Sequence, residues 1–493
     1  VNLAHPRGRP TLNCLTLNGF ILESWKAVCV LQLHHRVEMP MKDLTQGSTT
    51  KHIITMAIPI AAGMIFQMLY LLVDLYFVAA LGEQSMAGVG TAGTLLFMIM
   101  AITQVLGVSA VALISQAVGR KEKDKANLVF NQSFILSLIF GVVTLLFGYL
   151  LAGVYLSSIT NDPGVLNEGI IFLYYFLPGM ALQFPMTAMG ASLRATGIVT
   201  PTMVVQIFTV VLNTILAPIL IAGWGPGPAL GVMGAALAST ISILVGLALI
   251  TAYFLKLENY VEFNSAQWKP RFDVWWKMLD IGMPAGGEML LMFVYFSIVY
   301  WLIQDFGATA QAGFSIGGRI MQSIFMPTMA IAFAVGPIVG QNFGAGLHDR
   351  VRESCYRGMF LCSIVMVATT VLMQWQPEVL VAIFTDDPEV MAISATFLQL
   401  IAWNFVAQGI VFTASGVFQG LGNTRPAMLS SGIRLLVFVP IAVYIKYQPE
   451  FAINQVWYIS ILAVTVQGLA SYFLVRREFK LKLTSETSAT AAA

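Results

Sequence analysis

The chain has 493 residues, 57% of them hydrophobic and 10% charged, with a mean hydropathy of +0.79 and a formal net charge of +2. A soluble globular domain carries about 25% charged residues, so this balance excludes a water-soluble protein and points to a chain dissolved in lipid. Four scattered cysteines exclude a disulfide scaffold, the lack of a short period excludes a fibre, and the near-zero charge gives no reason to expect a nucleic-acid partner.

Residues 1–40 match nothing that follows. Glu23 and Lys26 interrupt their only apolar stretch, so they form neither a clean signal peptide nor a span. Met41-Lys42-Asp43-Leu44-Thr45 reads as a natural start, so 1–40 are expected to be an upstream extension. Beyond it, apolar runs long enough to cross a bilayer occur at 53–79, 87–116, 127–151, 166–189, 198–222, 230–255, 275–304, 309–340, 354–375, 390–416, 427–446 and 455–475. Barrel strands are about ten residues of alternating polarity, so these continuous runs predict helices. The expected fold class is all-α and polytopic, with twelve transmembrane helices.

Basic residues set the orientation. Beyond residue 41, nineteen lysines and arginines lie before the first span or after the even-numbered ones, against Lys446 alone on the other side. Positively charged loops stay in the cytoplasm, so both termini are expected there, in a multi-pass protein of the inner (plasma) membrane.

The two halves of the chain correspond at a gapless offset of 225 residues. Pro59 matches Pro284, Met64 matches Met289, Tyr70 matches Tyr295, and Gly88 and Gly93 match Gly313 and Gly318. The register continues through Gln116 with Gln341, Gly119 with Gly344, Asp162-Pro163 with Asp387-Pro388, Phe172-Leu173 with Phe397-Leu398, Gly197 with Gly422, Pro201 with Pro426 and Met203 with Met428. Common residues match singly by chance, but not at twelve landmarks in one register. An even number of spans per copy makes the copies parallel, with a central cleft between two six-helix lobes, which is transporter architecture. The expected organisation is a tail at 1–52, an N-lobe at 53–255, a cytoplasmic linker at 256–274, a C-lobe at 275–475 and a second tail at 476–493.

Few acids sit away from span ends. Asp74 lies in the outer part of the first span and Glu288 near the middle of the seventh. Taking a carboxylate out of water costs several kcal/mol unless it is protonated, ion-bound or paired, so both are candidate ion-coupling residues. Gln67 and Tyr70 precede Asp74 by seven and four residues and share its helix face. Gln206, Thr209 and Asn213 form a second polar stripe in the fifth span. Two such stripes fit an aqueous cavity or ion site; the alternative is a hydrogen-bond network that only joins helices. Arg319 and Arg434 are placed to neutralise Glu288 or line the same cavity, although Arg434 is also close enough to a helix end to snorkel. The 25 methionines and 32 phenylalanines suit an adaptable apolar cavity as well as ordinary packing. Prolines 178, 185, 218, 327, 337 and 440 interrupt span interiors as possible hinges.

All five histidines fall outside the hydrophobic spans or at their ends, so no membrane-embedded metal centre is expected. There is no phosphate-binding Gly-Lys-Ser/Thr loop, no catalytic constellation of an enzyme and no selectivity ring of a channel. An ion gradient is the remaining energy source.

A set of short motifs runs through both halves: Ala57-Ile58-Pro59, Val73-Asp74, Gly119-Arg120, Thr196-Gly197 with Thr200-Pro201, and Ile281-Gly282-Met283-Pro284. Gly317-Gly318-Arg319-Ile320, the run Val339 to Gly346 and the run Gln419 to Pro426 complete them. On these motifs the chain from about Met41 to Lys482 resembles the multidrug and toxic compound extrusion (MATE) family. The resemblance implies a bacterial-type secondary transporter with no cofactor. It would export diverse lipophilic, often cationic small molecules against inward flow of protons or sodium ions, as a monomer in contact with membrane lipid. It matches Asp74 to the first-span aspartate tied to coupling and Glu288 to the seventh-span glutamate of sodium-coupled relatives. Two departures keep the ion open. Asn213 is followed four positions later by Ala217 where some relatives have an aspartate, and the tenth span offers Gln399, Asn404 and Gln408 instead of an acid. A flippase for a lipid-linked sugar or peptidoglycan precursor is the alternative, and would call for several cavity arginines.

Overall fold

The computed structural model describes residues 42–224, 229–256 and 260–483. The expected upstream extension, residues 257–259 of the linker and 484–493 of the terminal tail lie outside the described residues. Among the described residues there are helices and turns but no strand.

The first six long helices are α1 (Thr49–Ala79), α2 (Glu83–Gly119), α3 (Lys123–Ile159), α4 (Pro163–Ala195), α5 (Thr200–Ala222) and α6 (Val232–Lys256). The second set is α7 (Phe272–Ile303), α8 (Gly307–Gly344), α9 (His348–Trp375), the short α10 (Pro377–Val381), α11 (Pro388–Ile401), α12 (Phe405–Gly420), α13 (Arg425–Lys446) and α14 (Ile453–Leu483). α7 and α8 follow each other through a single 3-10 turn within one 73-residue apolar stretch, and α11 and α12 together make one crossing, so among the described residues twelve segments are long and apolar enough to span a bilayer. The chain stays helical through every proline expected to interrupt a span. Large apolar side chains such as Leu146, Phe147 and Leu150 on α3 face outward, as a lipid-facing surface allows and water would penalise.

The tenth span departs from a continuous helix. A 3-10 turn at Ala402–Asn404 divides it, and the Thr370 hydroxyl on α9 donates to the Ala402 carbonyl at 3.0 Å. The Ala402 carbonyl also accepts the Phe405 N–H three residues on, the tighter 3-10 bond in place of the α-helical one.

Repetition is visible in the caps. Asp162 and Asp387 each accept from the backbone N–H groups two and three residues on, ahead of a proline in the first turn. Gly197 and Gly422 have φ of +82° and +68°, which turn α4 into α5 and α12 into α13. It is visible in the packing too. α1 packs on α5 as α7 packs on α13, α2 on α4 as α8 on α12, α4 on α6 as α12 on α14, and α5 on α6 as α13 on α14. The two lobes meet where α1 touches α8 and where α2 touches α7 and α8.

At the end of the bundle that carries most basic residues, the seam is closed by a pair of equivalent contacts. Gly119 lies so close to the Gln341 carbonyl, and Gly344 to that of Gln116, that neither position has room for a Cβ. The Gln116 amide donates to the Gly420 carbonyl at 2.9 Å and the Gln341 amide to the Ala195 carbonyl at 2.8 Å, again 225 residues apart. Residues 42–48 break the symmetry. The Leu44 N–H donates to Gln341 Oε1 at 3.0 Å, Asn342 donates to the Leu44 carbonyl at 3.2 Å, and Arg350 donates to the Gly47 carbonyl at 2.9 Å.

The expected linker is docked rather than free. Asn127, Asn131 and Gln132 on α3 hold it. Glu262 N–H donates to Asn127 at 2.7 Å, Asn264 N–H and the Trp268 indole to Asn131 at 3.0 Å each, and Arg271 N–H to Gln132 at 2.9 Å.

Candidate functional site

The expected polar residues separate into two neighbourhoods. In the first lobe, Tyr70 and Asp74 stand one turn apart on α1. The Tyr70 hydroxyl donates to Ser239 Oγ on α6 at 2.5 Å, and Asn213 on α5 donates to the same oxygen at 3.3 Å. One oxygen of Asp74 and the amide oxygen of Asn213 are buried without a hydrogen-bond partner. Orphaned buried acceptors are costly, so these two atoms mark where the packing of the first lobe leaves polar groups unsatisfied. Gln67, seven residues before Asp74, accepts from Gln206 at 3.0 Å. Thr209 turns away from the cluster and donates to the Gln206 carbonyl of its own helix.

The second neighbourhood is a cavity of about 350 Å³ at the seam. α1 and α2 line one side, including Met64, Gln67 and Met100, and α7, α8, α12, α13 and α14 line the rest. Glu288 and Gln408 are on its wall, with Met289, Met292, Phe333 and Phe412. Ser415 donates to Glu288 at 3.1 Å. Arg434 is on the same wall, with its guanidinium carbon 3.7 Å from the centroid of the Tyr295 ring. The Tyr295 hydroxyl is fixed by a 2.7 Å bond to Ser460 on α14.

Gln67, Glu288, Gln408 and Arg434 therefore share the cavity, and Gln67 is tied to α5 by its bond with Gln206. Asp74, Tyr70, Gln206, Thr209 and Asn213 are not on its wall. Arg319 is exposed on α8 and does not line the cavity, and neither Arg319 nor Arg434 pairs with Glu288 among the described residues. Glu288 is met by a serine hydroxyl, and Arg434 is held by an aromatic face instead of snorkelling to a helix end.

Sequence reasoning missed Ser239, Ser415, Ser460 and Gln467. Some signal existed: Gln408, Ser415 and Gln419 repeat at seven and four residues on α12, and Ser460, Gln467 and Ser471 do so on α14. Ser239 carries no such pattern.

Comparison with known proteins agrees with this arrangement. The chain is 26% identical over 400 residues to a protein of Thermotoga maritima named probable multidrug resistance protein NorM, covering 80% of this chain and 86% of that one. It is 23% identical over 437 residues to the multidrug export protein MepA of Staphylococcus saprophyticus, covering 87% and 94%. A solved outward-facing multidrug resistance MATE family transporter of the MOP superfamily superposes with a TM-score of 0.85 at 22% identity, covering 90% of this chain and 99% of that one. A MOP superfamily transporter from Pyrococcus furiosus, described as having a binding pocket of reversed polarity, superposes with a TM-score of 0.83 at 23% identity, covering 89% and 97%. The MatE family profile matches twice, at residues 59–219 and 284–444, so the two matches stand at the same 225-residue offset as the internal repeat. With both copies recognised, the chain belongs to the MatE family of multi-pass membrane transporters.

Proposed function

We propose that the protein is a secondary active exporter of lipophilic, often cationic compounds, working in antiport with protons or sodium ions. The observation that carries this reading is the seam cavity, whose walls of methionine and phenylalanine enclose a single carboxylate, Glu288. Flexible, polarizable methionines repack around different ligands, and a glutamate in an apolar surround attracts a cation. Asp74, in a separate cluster with orphaned acceptors seven residues beyond Gln67 on the same helix, supplies the ion-coupling group.

Coupling then follows from competition. Desolvation favours the neutral form of a carboxyl and a nearby cation favours the charged form, so an ion and a cationic substrate exclude one another. Moving one elementary charge through 100 mV is worth about 2.3 kcal/mol, enough for roughly a 50-fold concentration ratio. The lobes at 53–255 and 275–475 rock about the seam as rigid units, with 256–274 carried by the first. The basic end faces the cytoplasm of a plasma membrane, and the glycine–glutamine contacts there must part for the cavity to open inward. A lipid-linked precursor carries several negative charges, whereas the cavity offers one arginine beside one glutamate, so a flippase is the weaker reading.

The test is efflux of a fluorescent lipophilic cation from proteoliposomes under a proton gradient alone and then a sodium gradient alone. Response to one gradient names the ion. Asp74→Asn and Glu288→Gln should insert normally and lose driven efflux by about tenfold or more, equivalent to ~1.4 kcal/mol at the affected step. Unchanged efflux in both variants would remove the proposal.

A further inference from the structure

Arg434 has no role in the reading above, yet its environment is specific. It lies on α13, on the wall of the seam cavity, in the membrane-spanning part of the second lobe. Among the described residues it makes no ion pair, and its Nε is buried without a hydrogen-bond partner. A guanidinium in the interior of a membrane protein costs several kcal/mol unless something offsets it. What holds it is the face of Tyr295, at 3.7 Å to the ring centroid, and that ring is itself fixed by the Tyr295–Ser460 bond. The ring face meets the guanidinium carbon, and its terminal nitrogens make no hydrogen bond among the described residues, so their donors are left for a carboxylate or sulfonate.

Glu288 is on the same wall but more than an ion-pair distance away, occupied by Ser415. Were the two charges each other's partners, contact would be the cheaper arrangement. Held apart, they present a negative and a positive site to one apolar space. Ser431, one turn before Arg434, and Gln467, which donates to Ser431 at 3.1 Å, add polar groups beside the cation.

We infer that Arg434, stacked on Tyr295, is an anion-recognising subsite, and that the cavity takes amphipathic zwitterions, with the ammonium toward Glu288 and the carboxylate toward Arg434. The inference rests on the seam cavity being the substrate pocket. Tyr295 is a positioning residue that acts through Arg434.

The experiment is equilibrium binding to purified full-length protein in detergent, with no gradient imposed, so that ion coupling plays no part. The probes are a rhodamine as its free acid, a zwitterion, and the same dye as its methyl ester, a monocation, both followed by fluorescence anisotropy. Wild type should bind both and prefer the free acid. Arg434→Gln should lower the free-acid to ester affinity ratio by about tenfold, as expected for losing a charge-assisted bond. Arg434→Lys, which keeps the charge without the planar fork, should recover part of that ratio and decides the matter should the glutamine variant fail to fold. Glu288→Gln should weaken both dyes, since both carry the cation. An unchanged ratio in the Arg434 variants, or binding of the ester alone by wild type, overturns the subsite. Binding of neither dye by a folded wild type removes the substrate-pocket reading and the subsite with it.

Discussion

Tyr70 and Tyr295 occupy the same place in the two copies, and each bonds a serine on the last helix of its lobe, Ser239 or Ser460. Their surroundings then diverge. One turn beyond Tyr70 stands Asp74, and the equivalent position beyond Tyr295 is Val299, which is 2% exposed. Arg434 stacks on Tyr295, while its equivalent, Thr209, bonds its own helix. Glu288 corresponds to Gly63, where the Gln206 side chain leaves little room for a Cβ. Duplication has kept the backbone, the caps and the tyrosine, and the chemistry has been written into the few positions around it. One lobe holds an enclosed acid and the other an open wall bearing both signs.

The harshest way to break this comparison is to move the acid across it. Val299→Asp should put a carboxyl among Leu302 and Ile303 without the polar neighbours that Asp74 has. A cost of about 3 kcal/mol follows, seen as a marked fall in melting temperature and in membrane yield. A variant as stable as wild type would mean that the lobes are more interchangeable than their packing implies.

Gly119→Ala and Gly344→Ala address what the copies share. Each methyl would meet a main-chain carbonyl of the opposite lobe, at a cost of ~1–3 kcal/mol that falls on the closed seam alone. Spin-label distances across the basic end should lengthen by a similar amount in both variants. The adjoining glutamines should differ instead. Gln341→Ala removes bonds to Leu44 and Ala195, whereas Gln116→Ala removes the bond to Gly420, so their costs should be about 2 and about 1 kcal/mol. Thermal unfolding of the two variants ranks them. Smallest of all, Tyr70→Phe and Tyr295→Phe each forfeit a hydroxyl bond worth ~1 kcal/mol, and both should remain folded by the same measurement.

Much of this was legible in the sequence because it follows from repetition and from solvent. Apolar length gives a helix, and a fixed offset gives a second copy, so the twelve crossings and the paired Asp-Pro caps could be anticipated. An acid in an apolar run is equally conspicuous, which singled out Asp74 and Glu288. Partners across helices were not legible. Ser239, Ser460 and Ser415 are ordinary residues until packing brings them to Tyr70, Tyr295 and Glu288, and no periodicity records that. The same holds for Arg434, whose charge was visible but whose seat on an aromatic ring was not. The 3-10 turn in the tenth span is equally unmarked, and Thr370, which meets it, stands 32 positions away from Ala402.

The segment at 42–48 bears on how the molecule is assembled. Leu44 finds its hydrogen-bond partners 297 and 298 residues later in the chain, on α8, and Gly47 finds Arg350 303 residues later. Leu44 also lies against Gly197 of the first copy, but these hydrogen-bond partners exist only once the second copy has been synthesised. Contacts this distant form after local ones, so the first lobe can pack its own helices while this stretch is still unanchored. Its capture is then a late event of biogenesis, and a chain halted before α8 would present Leu44 to solvent, where a protease could read the difference between half a transporter and a finished one.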